Sequence, residues 1–273
     1  DTAIFLISQA LKLKPDFAEA QNSLGNVYKE MENWVKAEAA YNQAIANDPQ
    51  LAGAHLNLGL VARQRGDLKA ALTAYEAALG VDQNFALAHF NKANALREMG
   101  SLVSAVQTYR QALSHAPHLT DARKNLGLTL QALGNHYLDE KQWEAAVSAY
   151  NEAIESGVNN AALQNNLGNA LQSMERFTDA IEAFGSALSF DPDYAAAHNN
   201  LGTLFDSLGE DEKAVESYRY ALECDPNFIP ALNNLGNGLR ALDRVNEAIE
   251  AYNKALTIEP SFLDAQFNLG HAY

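Results

Sequence analysis

The strongest constraint on this chain is a Leu-Gly pair that returns on a 34-residue beat. It stands at Leu24-Gly25, Leu58-Gly59, Leu126-Gly127, Leu167-Gly168, Leu201-Gly202, Leu235-Gly236 and Leu269-Gly270, with Lys92-Ala93 in the same slot. An aromatic residue follows most of these pairs at a fixed distance: Tyr41, Tyr75, Tyr109, Tyr150, Phe184, Tyr218 and Tyr252. Alanines stand four residues before and three after each aromatic, as Ala37 and Ala44 flank Tyr41. Proline closes most units (Pro15, Pro49, Pro117, Pro192, Pro226, Pro260), and Gln83 and Val158 replace it in two. Self-similarity at such a period is the mark of a repeat architecture.

Each unit carries two stretches with apolar residues at helical spacing, separated by a turn such as Arg65-Gly66-Asp67 or Leu208-Gly209-Glu210. A glycine inside a helix costs about 0.5–1 kcal/mol against alanine. That cost is offset where a neighbouring helix must come too close for a β-carbon. Ala37 and Ala44 keep the second helix equally slim, and Tyr41 fills the space between them. Asp-Pro pairs (Asp48-Pro49, Asp191-Pro192, Asp225-Pro226) end the second helix and lead into the next unit. One helix pair cannot bury both of its faces, so the pairs must stack. The expected fold is all-α: an α-solenoid of stacked antiparallel helix pairs.

These residues resemble the tetratricopeptide repeat (TPR) family along the whole chain, and the resemblance implies a right-handed superhelix. The expected organisation is one continuous solenoid. Residues 1–17 are a lone second helix, 18–262 hold seven complete units starting at 18, 52, 86, 120, 161, 195 and 229, and 263–273 begin a further unit. Residue 1 falls inside a repeat, so the chain is expected to be a piece of a longer protein.

Composition limits the partners. With 34 acidic against 19 basic residues and a formal net charge of −15, the surface repels nucleic-acid phosphates and anionic lipid headgroups. Neither nucleic acid nor membrane insertion is expected, and no apolar run approaches the roughly 18 residues of a membrane span. The single cysteine, Cys224, leaves no internal disulfide framework and gives no sign of an oxidising compartment. The cytoplasm is the expected location.

The sequence offers little for catalysis. His55, His89 and His198 share one slot, three residues before the Leu-Gly position. Equivalent slots on adjacent units lie some 8–10 Å apart or more, too far to share a metal held at about 2 Å. Trp34 and Trp143 share a slot at the start of second helices and read as core. Cys224 has the place of a small packing residue. No catalytic residue, metal or cofactor is expected.

Asparagine is the exception. It precedes the Leu-Gly slot as Asn57, Asn91, Asn125, Asn166, Asn200, Asn234 and Asn268, with only Ser23 departing. Several units add one a residue earlier (Asn22, Asn165, Asn199, Asn233) or just after the glycine (Asn26, Asn94, Asn169, Asn237). Asparagine is a mediocre helix former, so its repetition mid-helix needs a reason. Either the amides bridge neighbouring helices and stiffen the stack, or they line a groove and hold an extended ligand by its backbone. The pattern is similar to the repeat region of O-GlcNAc transferase-like proteins. That resemblance implies a concave face on which Asn57, Asn91, Asn125, Asn166, Asn200, Asn234 and Asn268 hold peptide backbone, and Asn22, Asn26, Asn94, Asn169 and Asn237 are expected to line the same groove.

Beside the asparagines, the early units carry Lys29, Arg63 and Arg97 where the later ones carry Gln172, Asp206 and Arg240. A basic lip suited to acidic peptide segments is therefore expected in the amino-terminal half. The expected function is a protein–protein interaction scaffold binding an extended peptide. The alternatives are a substrate-recognition arm of a larger glycosyltransferase-like enzyme, and a scaffold that self-associates through the apolar helix faces at Ile4/Ile7/Leu11 and Phe267/Leu269.

The beat slips once. Gly127 and Gly168 are 41 residues apart, and a second Leu-Gly pair, Leu133-Gly134, lies between them. Seven extra residues turn a helix almost two full turns, a drift of only about 20°, and add roughly 10 Å. One long helix over about 120–140 is expected to serve both registers, as a phase-preserving insertion that either alters the local pitch or projects a ledge.

Overall fold

The computed structural model describes residues 2–272, so the outer ends of the two expected partial units, Asp1 and Tyr273, lie outside the described residues. Within them the chain forms sixteen α-helices. They are α1 (Thr2–Leu13), α2 (Ala18–Glu30), α3 (Trp34–Asn47), α4 (Ala52–Gln64), α5 (Leu68–Val81), α6 (Ala86–Glu98), α7 (Leu102–His115) and α8 (Thr120–Asp139). The remainder are α9 (Trp143–Glu155), α10 (Ala161–Ser173), α11 (Phe177–Phe190), α12 (Ala195–Ser207), α13 (Asp211–Cys224), α14 (Ile229–Ala241), α15 (Val245–Ile258) and α16 (Leu263–Ala272).

The chain divides into two compact units, Asp1–Leu133 with Glu155–Gly157, and Gly134–Ile154 with Val158–Tyr273. In the first, α2 packs on α3, α4 on α5 and α6 on α7, and the first helices α2, α4 and α6 also touch in succession. In the second, α10, α12, α14 and α16 touch in the same way, with α11, α13 and α15 paired behind them. Helix pairs in an all-helical stack are the solenoid that the repeat demands.

The aromatic of each second helix holds its pair together. Tyr41, Tyr75, Tyr109, Tyr150, Phe184, Tyr218 and Tyr252 are all fully buried, as are the alanines around them. A β-carbon on Gly25, Gly59, Gly134, Gly168, Gly202 or Gly236 would lie 2.4–2.6 Å from the facing ring, so glycine is what admits it. Burying each ring stabilises the stack by about 1.5–3 kcal/mol. In the long unit it is Gly134, not Gly127, that faces the aromatic Tyr150. The second register sets the pairing with α9.

Local chemistry sets the joints. Asp48, Asp82, Asp191 and Asp225 end second helices and accept from the N–H two residues on, at 2.9–3.2 Å. The donor slot before the asparagines closes the same turn from the far side. Nε2 of His55, His89 and His198 meets the carbonyl six residues back at 3.0, 2.9 and 3.0 Å. Arg123 and Gln266 do likewise, on Pro117 and Pro260. The shared histidine slot is thus a turn staple, which requires the Nε2–H tautomer.

Candidate functional site

The asparagines lie on the first helices, where successive repeats adjoin, and most meet an amide of the preceding repeat. In the first unit Asn57 Nδ2 donates to Asn22 Oδ1 at 3.0 Å, and Asn125 Nδ2 to Asn94 Oδ1 at 2.9 Å. Asn94 also accepts from the Tyr109 hydroxyl at 2.5 Å, and Asn26 from Tyr41 at 2.9 Å. Asn91 differs: it donates to Leu87 O of its own helix at 2.8 Å. The positions that would offer it an amide on α4 are Leu56 and Leu60.

In the second unit the bonds join into a one-way relay. Asn234 donates to Asn199 (3.0 Å), Asn199 to Asn200 (3.4 Å) and Asn200 to Asn165 (2.9 Å). Asn165 then donates to Asn166 (3.4 Å) and Asn166 to Asn135 (3.1 Å), which also accepts from Tyr150 at 2.8 Å. Asn268 donates to Asn233 at 2.9 Å, and Asn237 accepts from Tyr252 at 2.7 Å. Asn169 stands where Asn26 and Asn237 stand, but the ring behind it is Phe184, which has no hydroxyl to give. Its backbone carbonyl accepts from Ser173 at 3.0 Å.

Bridging between helices is therefore what these amides do inside the chain. Burial grades them. Asn94, Asn165, Asn199 and Asn233 are 4–7% exposed, whereas the acceptors Asn22 and Asn135 are half-buried, as are Asn57, Asn91, Asn125, Asn166, Asn200, Asn234 and Asn268. A primary amide has two N–H donors and an oxygen able to accept twice. Each ladder bond spends one N–H of the half-buried row and fixes the direction of the rest.

Four participants lie outside the groove lining expected from the sequence: Asn135, Asn165, Asn199 and Asn233. The doublets Asn165-Asn166, Asn199-Asn200 and Asn233-Asn234 were a usable signal, because two adjacent amides can serve two neighbours. Asn135 follows Gly134 as Asn26 follows Gly25, so the second register marked it too.

The basic lip is less free than the sequence implied. Arg63 grips Glu98 through Nε (3.1 and 3.2 Å to the two oxygens) and through a closer Nη2 contact. The hydrogen bond from Arg63 holds the Glu98 carboxyl below the usual carboxylate range. Lys29 and Arg63 line a cleft of 340 Å³ with Trp34, Leu60, Gln64 and Glu98. Arg97 lies beside it on α6, its Nε buried without a partner.

Elsewhere the chemistry is sparse. Among the described residues no group of three or more His, Cys, Asp and Glu side chains could hold a metal ion. Cys224 ends α13, where burial and then the carboxylates of Asp193, Glu223 and Asp191 push its thiol up, away from the reactive thiolate. Among the described residues no helix is long and apolar enough to cross a membrane.

A family model described as tetratricopeptide repeat matches residues 1–52, 23–85, 56–120 and 165–227, and one described as TPR repeat matches 236–273. No curated protein matches by sequence. A solved structure of MamA is 26% identical with a TM-score of 0.51, over 62% of this chain and 94% of its own. The C-terminal part of a TPR repeat-containing protein from Cytophaga hutchinsonii is 14% identical with a TM-score of 0.61, over 90% of this chain and 98% of its own. A structure of Naa15/Naa10 bound to HypK-THB is 15% identical with a TM-score of 0.62, over 93% of this chain and 39% of that one. The last two share the fold.

Proposed function

Because the chain belongs to the tetratricopeptide repeat family, we propose that it is a protein–protein interaction scaffold holding an extended segment of a partner along the asparagine-bearing face of its first helices. Its modules are the seven repeats that start at residues 18, 52, 86, 120, 161, 195 and 229, and its compartment is the cytoplasm. The observation that carries this reading is the half-buried asparagines, Asn57 and Asn125 in the first unit and Asn166, Asn200, Asn234 and Asn268 in the second, each tied by one N–H to a neighbouring amide. An amide already fixed in place loses little further freedom when a ligand binds, so preorganisation adds to affinity. An amide can give an N–H and take an N–H, which matches a peptide unit and ignores the partner's side chain. Asn22, Asn26, Asn94, Asn169 and Asn237 support or flank the row, and Asn91 belongs to it by position.

The test is retention of a randomised peptide pool by the immobilised chain and by an Asn200→Ala/Asn234→Ala variant. Two lost hydrogen bonds near 1 kcal/mol each predict a drop of roughly tenfold to thirtyfold. The circular dichroism of the variant should stay helical. Undiminished retention by a folded variant would exclude this face.

A further inference from the structure

One place in the first unit breaks the asparagine pattern and leaves polar groups unmet. Helix α4 carries Leu56 and Leu60 where α2, α10 and α14 carry asparagines at both places. Asn91 turns back to its own helix in consequence. The second consequence is at Tyr75. The hydroxyls of Tyr41, Tyr109, Tyr150 and Tyr252 each donate to an asparagine. That of Tyr75, on a ring with 0% exposure, has no hydrogen-bond partner. Arg63 and Glu98 are the charges that bear on this hydroxyl, and both line the adjoining cleft with Lys29, Trp34 and Leu60. The Nε of Arg97 is a further buried donor without a partner.

We propose, on the basis of the peptide-binding reading above, that this cleft is a subsite for a carboxylate side chain of the bound segment, with Glu98 as its built-in stand-in. Without a partner, Glu98 takes the fork of Arg63. A glutamate or aspartate of the partner replaces it there, with Lys29 in the same lining as a second cation. Guanidinium recognises carboxylate by paired, charge-assisted bonds, so an amide side chain in the same place binds less well. The exchange is easy because the Arg63–Glu98 pair is partly open to water, with side-chain exposures of 29% and 37%, and such pairs are screened and weak. With a net charge of −15, the rest of the chain repels acidic segments and confines their capture to this cleft.

The experiment compares two randomised peptide pools, one with a fixed central glutamate and the other with glutamine there. Each is captured by the wild-type chain and by the surface variants Glu98→Gln and Arg63→Gln. Wild type retains the glutamate pool better, Glu98→Gln raises that retention roughly threefold and leaves the glutamine pool unchanged, and Arg63→Gln erases the preference. Equal retention of both pools by wild type and Glu98→Gln overturns the subsite. If that equal retention is still lost in Asn200→Ala/Asn234→Ala, the peptide-binding reading stands while the subsite falls. If no variant retains either pool, both fall.

Discussion

Tyr75 and Tyr109 occupy the same place in successive repeats and are equally buried, but only the Tyr109 hydroxyl is hydrogen-bonded. Tyr109 donates to Asn94 at 2.5 Å, whereas the Tyr75 hydroxyl has no partner. Removing a made hydrogen bond costs about 1 kcal/mol, and removing an unmade one relieves a desolvated group. Tyr109→Phe should therefore lower the unfolding free energy by about 1 kcal/mol, while Tyr75→Phe leaves it unchanged or raises it. Equal losses in chemical denaturation would contradict the bond assignment. The same burial sets an alkaline limit. Desolvation pushes Tyr41 and Tyr75 up to about 12, so the folded chain keeps protons that the unfolded chain gives up near 10. Their contribution is complete below pH 10 and is lost as pH rises through the folded values. Melting temperature should fall steeply between pH 10 and 12; a flat profile there would count against buried neutral phenols.

At the scale of the element, the turns between paired helices share one left-handed residue. Gly66, Gly100 and Gly209 take it at φ of 81°, 77° and 73°, but Glu32, Lys141, Glu175 and Asp243 take it at 55–60°. A side chain in that region costs about 1–2 kcal/mol, part of which glycine gives back through a freer unfolded chain. Lys141→Gly is accordingly expected to stabilise by up to about 1 kcal/mol, read as a raised denaturant midpoint; a lowered midpoint would refute the strain. Helix α8, Thr120–Asp139, shows what a sequence can disclose about an element. Its length and both registers were legible, because seven residues preserve helical phase. Asn125 reaches Asn94 while Gly134 admits Tyr150, so each register serves a different neighbour. Which glycine would face the aromatic was legible too, since Gly134 stands as far before Tyr150 as Gly25 before Tyr41.

Across the whole molecule the repeat was legible because packing forces small and aromatic residues to recur. The amide network was legible only in composition. Asn57 bonds a residue 35 positions away and Asn125 one only 31 away, a choice made by the residue that faces each amide across the helix junction, not by spacing. Leu56 in place of an amide breaks the pattern without disturbing the repeat. The Arg63–Glu98 pair has the same 35-residue separation as Asn57–Asn22, but it does not recur in the other repeats, so the repeat pattern did not mark it. On the proposed reading the half-buried amides meet peptide backbone with the bonding capacity the ladder leaves them. That reading is tested most directly by following the side-chain amide resonances of Asn57, Asn200, Asn234 and Asn268 by NMR while a randomised peptide pool is added. These resonances should move on binding, and a pool with N-methylated backbones should fail to move them. Peptide binding that leaves all four unchanged, or that survives N-methylation, would contradict it.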